Sequence, residues 1–221
     1  MTDEQFWAII ARSYKNAGSD FERQLGELQA LLEALNPEEI LEFGGHFERR
    51  MALAYHWDVW AAAFIIRGGC SDDSFVDFRG TLIAFGQQVF ESVMEDSDRL
   101  RDVLDRVCFD DPEDEMFVEG FPSVADRAYF SLTGQETPVA SLSQKLRGAP
   151  WDDRTDDLAK RCPRLWNRYG PQDDSQDRYL AQAREWFGKR KYKNALDAYA
   201  KITGELAPMD ERKRLYCEKR I

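Results

Sequence analysis

The chain has 221 residues, a formal net charge of −11 and 43% hydrophobic residues, enough for one large domain with a small appendage and a sizeable core. Its longest apolar run, Trp60 to Ile66, is far short of the roughly 20 residues of a membrane span. The opening MTDEQFW has neither the basic nor the apolar region of a secretory signal, so a cytoplasmic protein is expected.

Four cysteines (Cys70, Cys108, Cys162 and Cys217) stand far apart without a CxxC pair, and the only histidines are His46 and His56. This argues against a zinc module, a disulfide framework and most histidine-dependent catalysis. Residues 1–150 hold 13 Lys+Arg against 28 Asp+Glu, whereas 151–221 hold 17 against 13. An acidic body repels phosphate backbones, so nucleic acid is a poor partner for it and a basic protein surface a better one.

A helix is expected from Asp3, with Phe6, Trp7, Ile10 and Tyr14 near one face and Gly18 at its end. Phe21, Leu25, Leu28, Leu32 and Leu35 continue the period from Asp20 until Asn36-Pro37. Asn36 then caps a third helix with Pro37 in its first turn, running toward Tyr55 despite Gly44-Gly45. Trp57 to Ile66 is a short, almost wholly apolar helix, and Gly68-Gly69 ends it in a left-handed turn. Ser71 or Asp72 starts the next, whose buried face of Phe75, Phe78, Leu82, Ile83 and Phe85 is expected to extend past Gly86 to Phe90 and Val93.

Ser97 or Asp98 is expected to cap a helix carrying Leu100, Val103 and Leu104. The acidic stretch from Phe109 to Pro122 is expected to be a solvated loop or a short helix flanked by loops. Val124 to Leu132 predicts a helix closed by Thr133-Gly134, whereas Gln135 to Pro150 shows no period and is expected to be a weakly ordered connection. Leu165, Trp166 and Tyr169 clamp the Pro- and Asp-containing segment that follows. From Asp177 the pattern becomes two helical faces, Tyr179, Ala183, Trp186, Phe187 and then Tyr192, Ala195, Leu196, Tyr199, joined at Lys189 to Lys191, with a last helix from Pro208. REWFGKRKYKNALDAYAKI resembles one degenerate tetratricopeptide helix pair, a unit that cannot bury its own face alone. With no alternating pattern above background, the expected fold is all-α, an irregular multi-helix bundle over residues 1–170 followed by a helical extension over 171–221.

The phrases FW near the start, PEEI, YHWDVWAAAFIIRGGCSDDSFVDFRG with LIAFGQQVFE, and CPRLWNRYG resemble domain-of-unknown-function family 4240, common in bacterial genomes, over about residues 3–170. The resemblance implies a single domain through about 170 and brings no reaction, substrate or catalytic residue. Gly80-Thr81 stands where the resemblance leads one to expect a bulky residue.

Asp72, Asp73 and Asp77, with Arg79 and Asp58, are the polar residues set most tightly among aromatic positions. On a helix from Ser71, Asp73 and Asp77 share a face and form a carboxylate pair of the kind that holds a divalent cation or shares a proton. The simpler reading is that Ser71, Asp72 and Asp73 cap the helix and Arg79 pairs with a carboxylate. Trp57, Trp60, Trp7 and Tyr55 either line a pocket or fill the core, and His56 is a candidate base or a hydrogen-bonded neighbour of Asp58. The acidic run Asp110 to Glu119 suits a basic partner, and Lys189, Arg190, Lys191 and Lys193 an acidic one.

These features favour a non-enzymatic protein–protein interaction module, without cofactor or metal, acting as a regulator, adaptor or toxin-neutralising partner. Its ligand or partner candidates are Trp57, Asp58, Trp60, Ser71, Asp72, Asp73, Asp77 and Arg79. The alternatives are an enzyme or metal-dependent ligand binder using that acidic cluster, and nucleic-acid binding through the basic tail.

Overall fold

The computed structural model describes residues 1–18, 20–107, 115–138, 145–152, 156–170, 175–202, 206 and 208–220. Their contacts divide the chain into two compact units, Met1–Gly170 and Pro171–Ile221. Among the described residues the regular structure is helical, apart from one isolated β-bridge between His56 and Arg147. None of these helices is long and apolar enough to cross a membrane.

The first unit begins with α1 (Asp3–Ala17), α2 (Phe21–Glu33) and α3 (Pro37–Ala54). Each starts on a side chain that accepts a backbone N–H of its first turn: Thr2, Asp20 and Asn36. Thr2 and Asn36 complete capping boxes with Gln5 and Glu39. α3 passes through its glycine pair unbroken. A β-carbon on Gly44 would meet that of Ala125 at 3.4 Å, so the small residue sets how closely α8 (Val124–Thr133) approaches.

α4 (Trp57–Arg67) ends at Gly68 in the left-handed conformation, and Ser71 starts α5 (Asp72–Ala84) by accepting from the Ser74 N–H at 3.2 Å. α5 is the hub of the unit: it touches α1, α2, α3, α4 and α6 (Gln87–Glu95). Its consecutive residues Phe78 to Ala84 are all buried, which is why it lacks a clear polar stripe. Fully buried Gln24 ties α2 to this hub by donating to the Ala84 carbonyl at 2.7 Å and to the Ser13 hydroxyl at 3.2 Å.

Three expectations need correcting. α5 does not run past Gly86: the backbone there has φ of 96°, and α6 starts afresh at Gln87. Neither Ser97 nor Asp98 caps α7 (Leu100–Val107); Asp96 caps the 3-10 turn Ser97–Arg99 that leads into it, while Asp98 is buried. Nor is the described end of the acidic stretch a solvated loop, because Met116, Phe117, Val118 and Phe121 are core residues. They dock on the pair that seemed out of place. A β-carbon on Gly80 would lie 2.9 Å from Pro122 Cδ and 3.1 Å from Phe121 Cβ, and the Thr81 hydroxyl accepts from the Val118 N–H at 3.2 Å. Asp110 to Asp114 lie outside the described residues.

The unit closes with α9 (Asp157–Arg161) and α10 (Pro163–Tyr169), which pack on α4. Of the three residues expected to clamp this segment, Leu165 is buried and Trp166 and Tyr169 pack half-buried against the core, with Leu158 and Cys162 buried beside them. The second unit holds α11 (Ser175–Gly188), α12 (Tyr192–Tyr199) and α13 (Pro208–Glu218). Ala183, Ala198 and Tyr199 form its small core, and the rings of Phe187, Tyr192 and Tyr216 meet pairwise with centroids 5.6 to 5.9 Å apart.

Candidate functional site

The candidate residues converge on the α3–α4 junction and the start of α5. Trp57 and Trp60, one helical turn apart, stack with centroids 5.5 Å apart and 15° between planes. Trp60 stacks in turn on Phe75 at 4.8 Å and 14°, and Phe75 continues to Phe78. The Trp60 indole donates to the Cys70 carbonyl at 3.0 Å, fixing the turn between α4 and α5. Trp151 meets Trp57 edge-on at 5.7 Å and donates to its carbonyl at 3.1 Å. This ladder is continuous with the core, with the indole N–H groups of Trp60 and Trp151 tied to backbone.

Arg79 lies beneath the ladder, only 4% exposed. Its guanidinium donates to the carbonyls of Met51 at 2.8 Å and Phe75 at 3.3 Å, and lies over the rings of Tyr55 and Phe75 at 4.6 and 5.0 Å. Burial holds its pKa below that of an ordinary arginine. It binds α3 to α5, a structural task that would be hard to combine with meeting a ligand from solvent.

The three aspartates are arranged differently. Asp72 and Asp73 are exposed in the first turn of α5, beside the positive end of its dipole. Asp77 is half-buried, and its carboxyl is pushed up first by burial and then by the Glu119 and Asp73 charges. Among the described residues no three His, Cys, Asp or Glu side chains are placed to hold a metal ion.

Asp58 does not join the aspartates of α5. Its carboxylate pairs with Arg161 of α9, which also donates to the Ala149 carbonyl at 2.9 Å. His56 caps α4 by accepting the Asp58 N–H on Nδ1 at 3.2 Å, and the same nitrogen lies 3.5 Å from the Asp58 carboxylate, so the ring is engaged by the start of its own helix. A β-carbon on Gly148 would fall 2.5 Å from the ring, so the backbone lies flat on the imidazole. Residues 145–150, the end of the connection expected to be weakly ordered over Gln135 to Pro150, are pinned to this junction. Trp57 donates to the Arg147 carbonyl at 2.9 Å, Arg147 to the Tyr55 carbonyl at 3.1 Å, and the Arg147 guanidinium to the Leu53 carbonyl. A cleft of about 180 Å³ remains, lined by His56, Asp58, Met94, Asp96, Ser97 and Arg161.

A second cavity, about 530 Å³, lies between α6 and α7 and is lined by Gln88, Val89, Ser92, Arg99, Val103 and Arg106 among others. None of the candidates drawn from the sequence lines it. Charged i, i+4 pairs on a short helix give no sequence signal that distinguishes a groove from a solvated face.

Both histidines have neighbours that account for them. His46 places Nε2 2.9 Å from the Met1 carbonyl and Nδ1 2.8 Å from the Asp3 carboxylate, which also binds Arg50 at 3.0 Å. Burial pushes the thiols of Cys70 and Cys162 up to about 12, so neither is an activated nucleophile.

The family model described as "protein of unknown function (DUF4240)" matches residues 1–131, more than half of the chain. The chain belongs to the DUF4240 family. The match covers α1 to α7 and most of α8, so Trp57, Trp60 and Phe75 of the ladder, Arg79 and the Gly80 docking point fall within the family's extent, and Trp151 lies beyond it. No curated protein and no solved structure matches. Within the DUF4240 region, the side chains with the most chemical promise cap, stack or pair inside the fold.

Proposed function

We propose that this DUF4240 protein is a non-enzymatic protein–protein interaction module of the cytoplasm, a regulator, adaptor or toxin-neutralising partner. The observation that carries the reading is on α8, where Phe130 is 56% and Leu132 48% exposed. They belong to a unit whose residues, 1–170, hold 18 Lys+Arg against 32 Asp+Glu. Large apolar side chains left in water on a strongly charged surface suit a contact whose centre is apolar and whose rim is electrostatic. A partner with a basic surface and an apolar socket fits. The second unit, read as a tetratricopeptide-like helix pair with a third helix, exposes Met209, Leu215 and Tyr216 and offers a further contact.

The test compares affinity capture by the full chain and by a Phe130→Asp, Leu132→Asp variant at low and high salt, with circular dichroism to verify the fold. The expected result is a reproducible, salt-sensitive partner of high isoelectric point that the variant loses. Capture of the same proteins by both chains, or a lone monomer on gel filtration with no partner recovered, would sink the reading.

A further inference from the structure

The groove between α6 and α7 combines an apolar floor with a cation, Arg106, whose outer donors have no hydrogen-bond partner among the described residues. Val103 is buried and Val89 half-buried along its base, and Ser92 adds a hydroxyl on the α6 side. Both carboxylates on the α7 side are engaged elsewhere: Asp102 by the guanidinium of Arg164, at 2.9 Å for one of two bonds, and Asp105 by Arg101. Arg99 is paired with Glu95. Arg106 is different. Its Nε donates to the Asp102 carbonyl at 3.1 Å, which fixes the plane of the guanidinium, and among the described residues its two Nη groups have no hydrogen-bond partner.

We propose that this groove binds a small carboxylate with an apolar body, the carboxylate on the Nη donors of Arg106 and the body on Val89 and Val103. A guanidinium whose Nε is already anchored presents its two Nη groups as a pre-oriented donor pair, suited to a carboxylate's two oxygens. The volume of about 530 Å³ falls within the range of small-molecule sites. Repulsion by the wider acidic surface is screened beyond roughly 8 Å at physiological ionic strength, and the two carboxylates that line the groove, Asp102 and Asp105, are each paired with an arginine. The site goes beyond the protein-binding reading and does not rest on it, because it lies on different helices from Phe130 and Leu132.

The test is an amide NMR titration of the ¹⁵N-labelled full chain with 4-phenylbutyrate, 4-phenylbutylamine and inorganic phosphate as separate probes. The carboxylate is expected to shift the amides of Gln88, Val89, Ser92, Val103 and Arg106, and the amine to leave them in place. Phosphate, which lacks the apolar body, should bind at least about tenfold more weakly. Arg106→Gln, an exposed substitution that leaves the core intact, should weaken 4-phenylbutyrate about tenfold, and Arg106→Lys should restore part of the loss. The proposal is overturned by an absence of shifts up to the probe's solubility limit, by equal shifts with the amine or with phosphate, or by undiminished binding in Arg106→Gln.

Discussion

The Asp98 carboxylate accepts the backbone N–H of Arg164 on both oxygens, at 3.0 and 3.1 Å, across 66 positions of sequence. Its Oδ1 also takes the Leu165 N–H at 2.9 Å. A residue expected to cap its own helix therefore caps α10, where free N–H groups and the helix dipole favour an anion. The bond ties the closing helices of the first unit to the 3-10 turn before α7.

Replacing Asp98 by alanine leaves buried donors at the start of α10 without an acceptor. Hydrogen bonds to a charged group contribute roughly 1.5–3 kcal/mol each and are not additive, so a loss of about 2–4 kcal/mol is expected. Asparagine keeps one acceptor oxygen and should cost about half as much. Urea unfolding measures the loss, and hydrogen exchange should show the Arg164 and Leu165 amides released. A change below about 0.5 kcal/mol would match an ordinary surface site and refute the cap.

Arg79 tests the division between architecture and chemistry at the start of α5. Alanine there removes two hydrogen bonds to carbonyls and the packing between Tyr55 and Phe75, so a destabilisation of about 3 kcal/mol is expected by chemical denaturation. Lysine keeps the charge but lacks the planar donor fork, and should recover less than half. The Asp73→Asn, Asp77→Asn double variant, by contrast, should unfold within about 1 kcal/mol of the parent, because Asp73 is exposed and burial already disfavours the charge on Asp77. A double variant as unstable as Arg79→Ala would mean that the aspartates belong to the same buried network.

Helices with a cap, a period and a stop were legible from sequence: Asn36-Pro37, the left-handed Gly68 and Thr133-Gly134 each mark an observed boundary. Two kinds of element were not. Residues 145–152 hold their place by two backbone bonds, a flat glycine and one indole, none of which produces a period. Polar residues that act at long range, such as Asp98 and Gln24, look from sequence like local caps or surface positions. The candidate site was legible as a neighbourhood, since Trp57, Trp60 and Arg79 do gather. Its chemistry was not, because the spacing of Asp58 from Ser71 says nothing of Arg161, about a hundred residues on.

The glycines of the first unit separate close packing from open space. Gly80→Ala forces a β-carbon to within 2.9 Å of Pro122 Cδ, so the segment holding Phe121 must shift and a cost of about 1–3 kcal/mol is expected. Gly26, in the middle of α2 with nothing within 4 Å of where a β-carbon would sit, should respond oppositely. Alanine there is expected to stabilise by about 0.5–1 kcal/mol through helix propensity and unfolded-state entropy. Thermal unfolding of the two variants side by side gives the signs directly. A Gly80→Ala chain as stable as the parent would show that the docking of Phe121-Pro122 is loose.

The second unit should lose stability at both ends of the pH scale, for opposite reasons. Asp210 is buried with Arg184 on both carboxylate oxygens, at 2.9 and 2.5 Å, and that pairing holds its carboxyl below the usual range. A lowered folded value means that the contribution is present above the unfolded value of about 3.9 and is lost as pH falls through the folded one. Tyr199 donates to the same carboxylate at 3.4 Å, and its phenol is pushed up to about 12, first by burial and then by the Asp210 charge. Here the folded value is raised, so the contribution is present below about pH 10 and is lost as pH rises toward 12. Amide NMR signals of Tyr192 to Tyr199, followed from acid to base in the full chain, should collapse at both limits and persist between them. Asp210→Asn removes the titrating group and should flatten the acid limb at the cost of lower stability at neutral pH. An unchanged acid limb in that variant would place the acid sensitivity elsewhere in the unit.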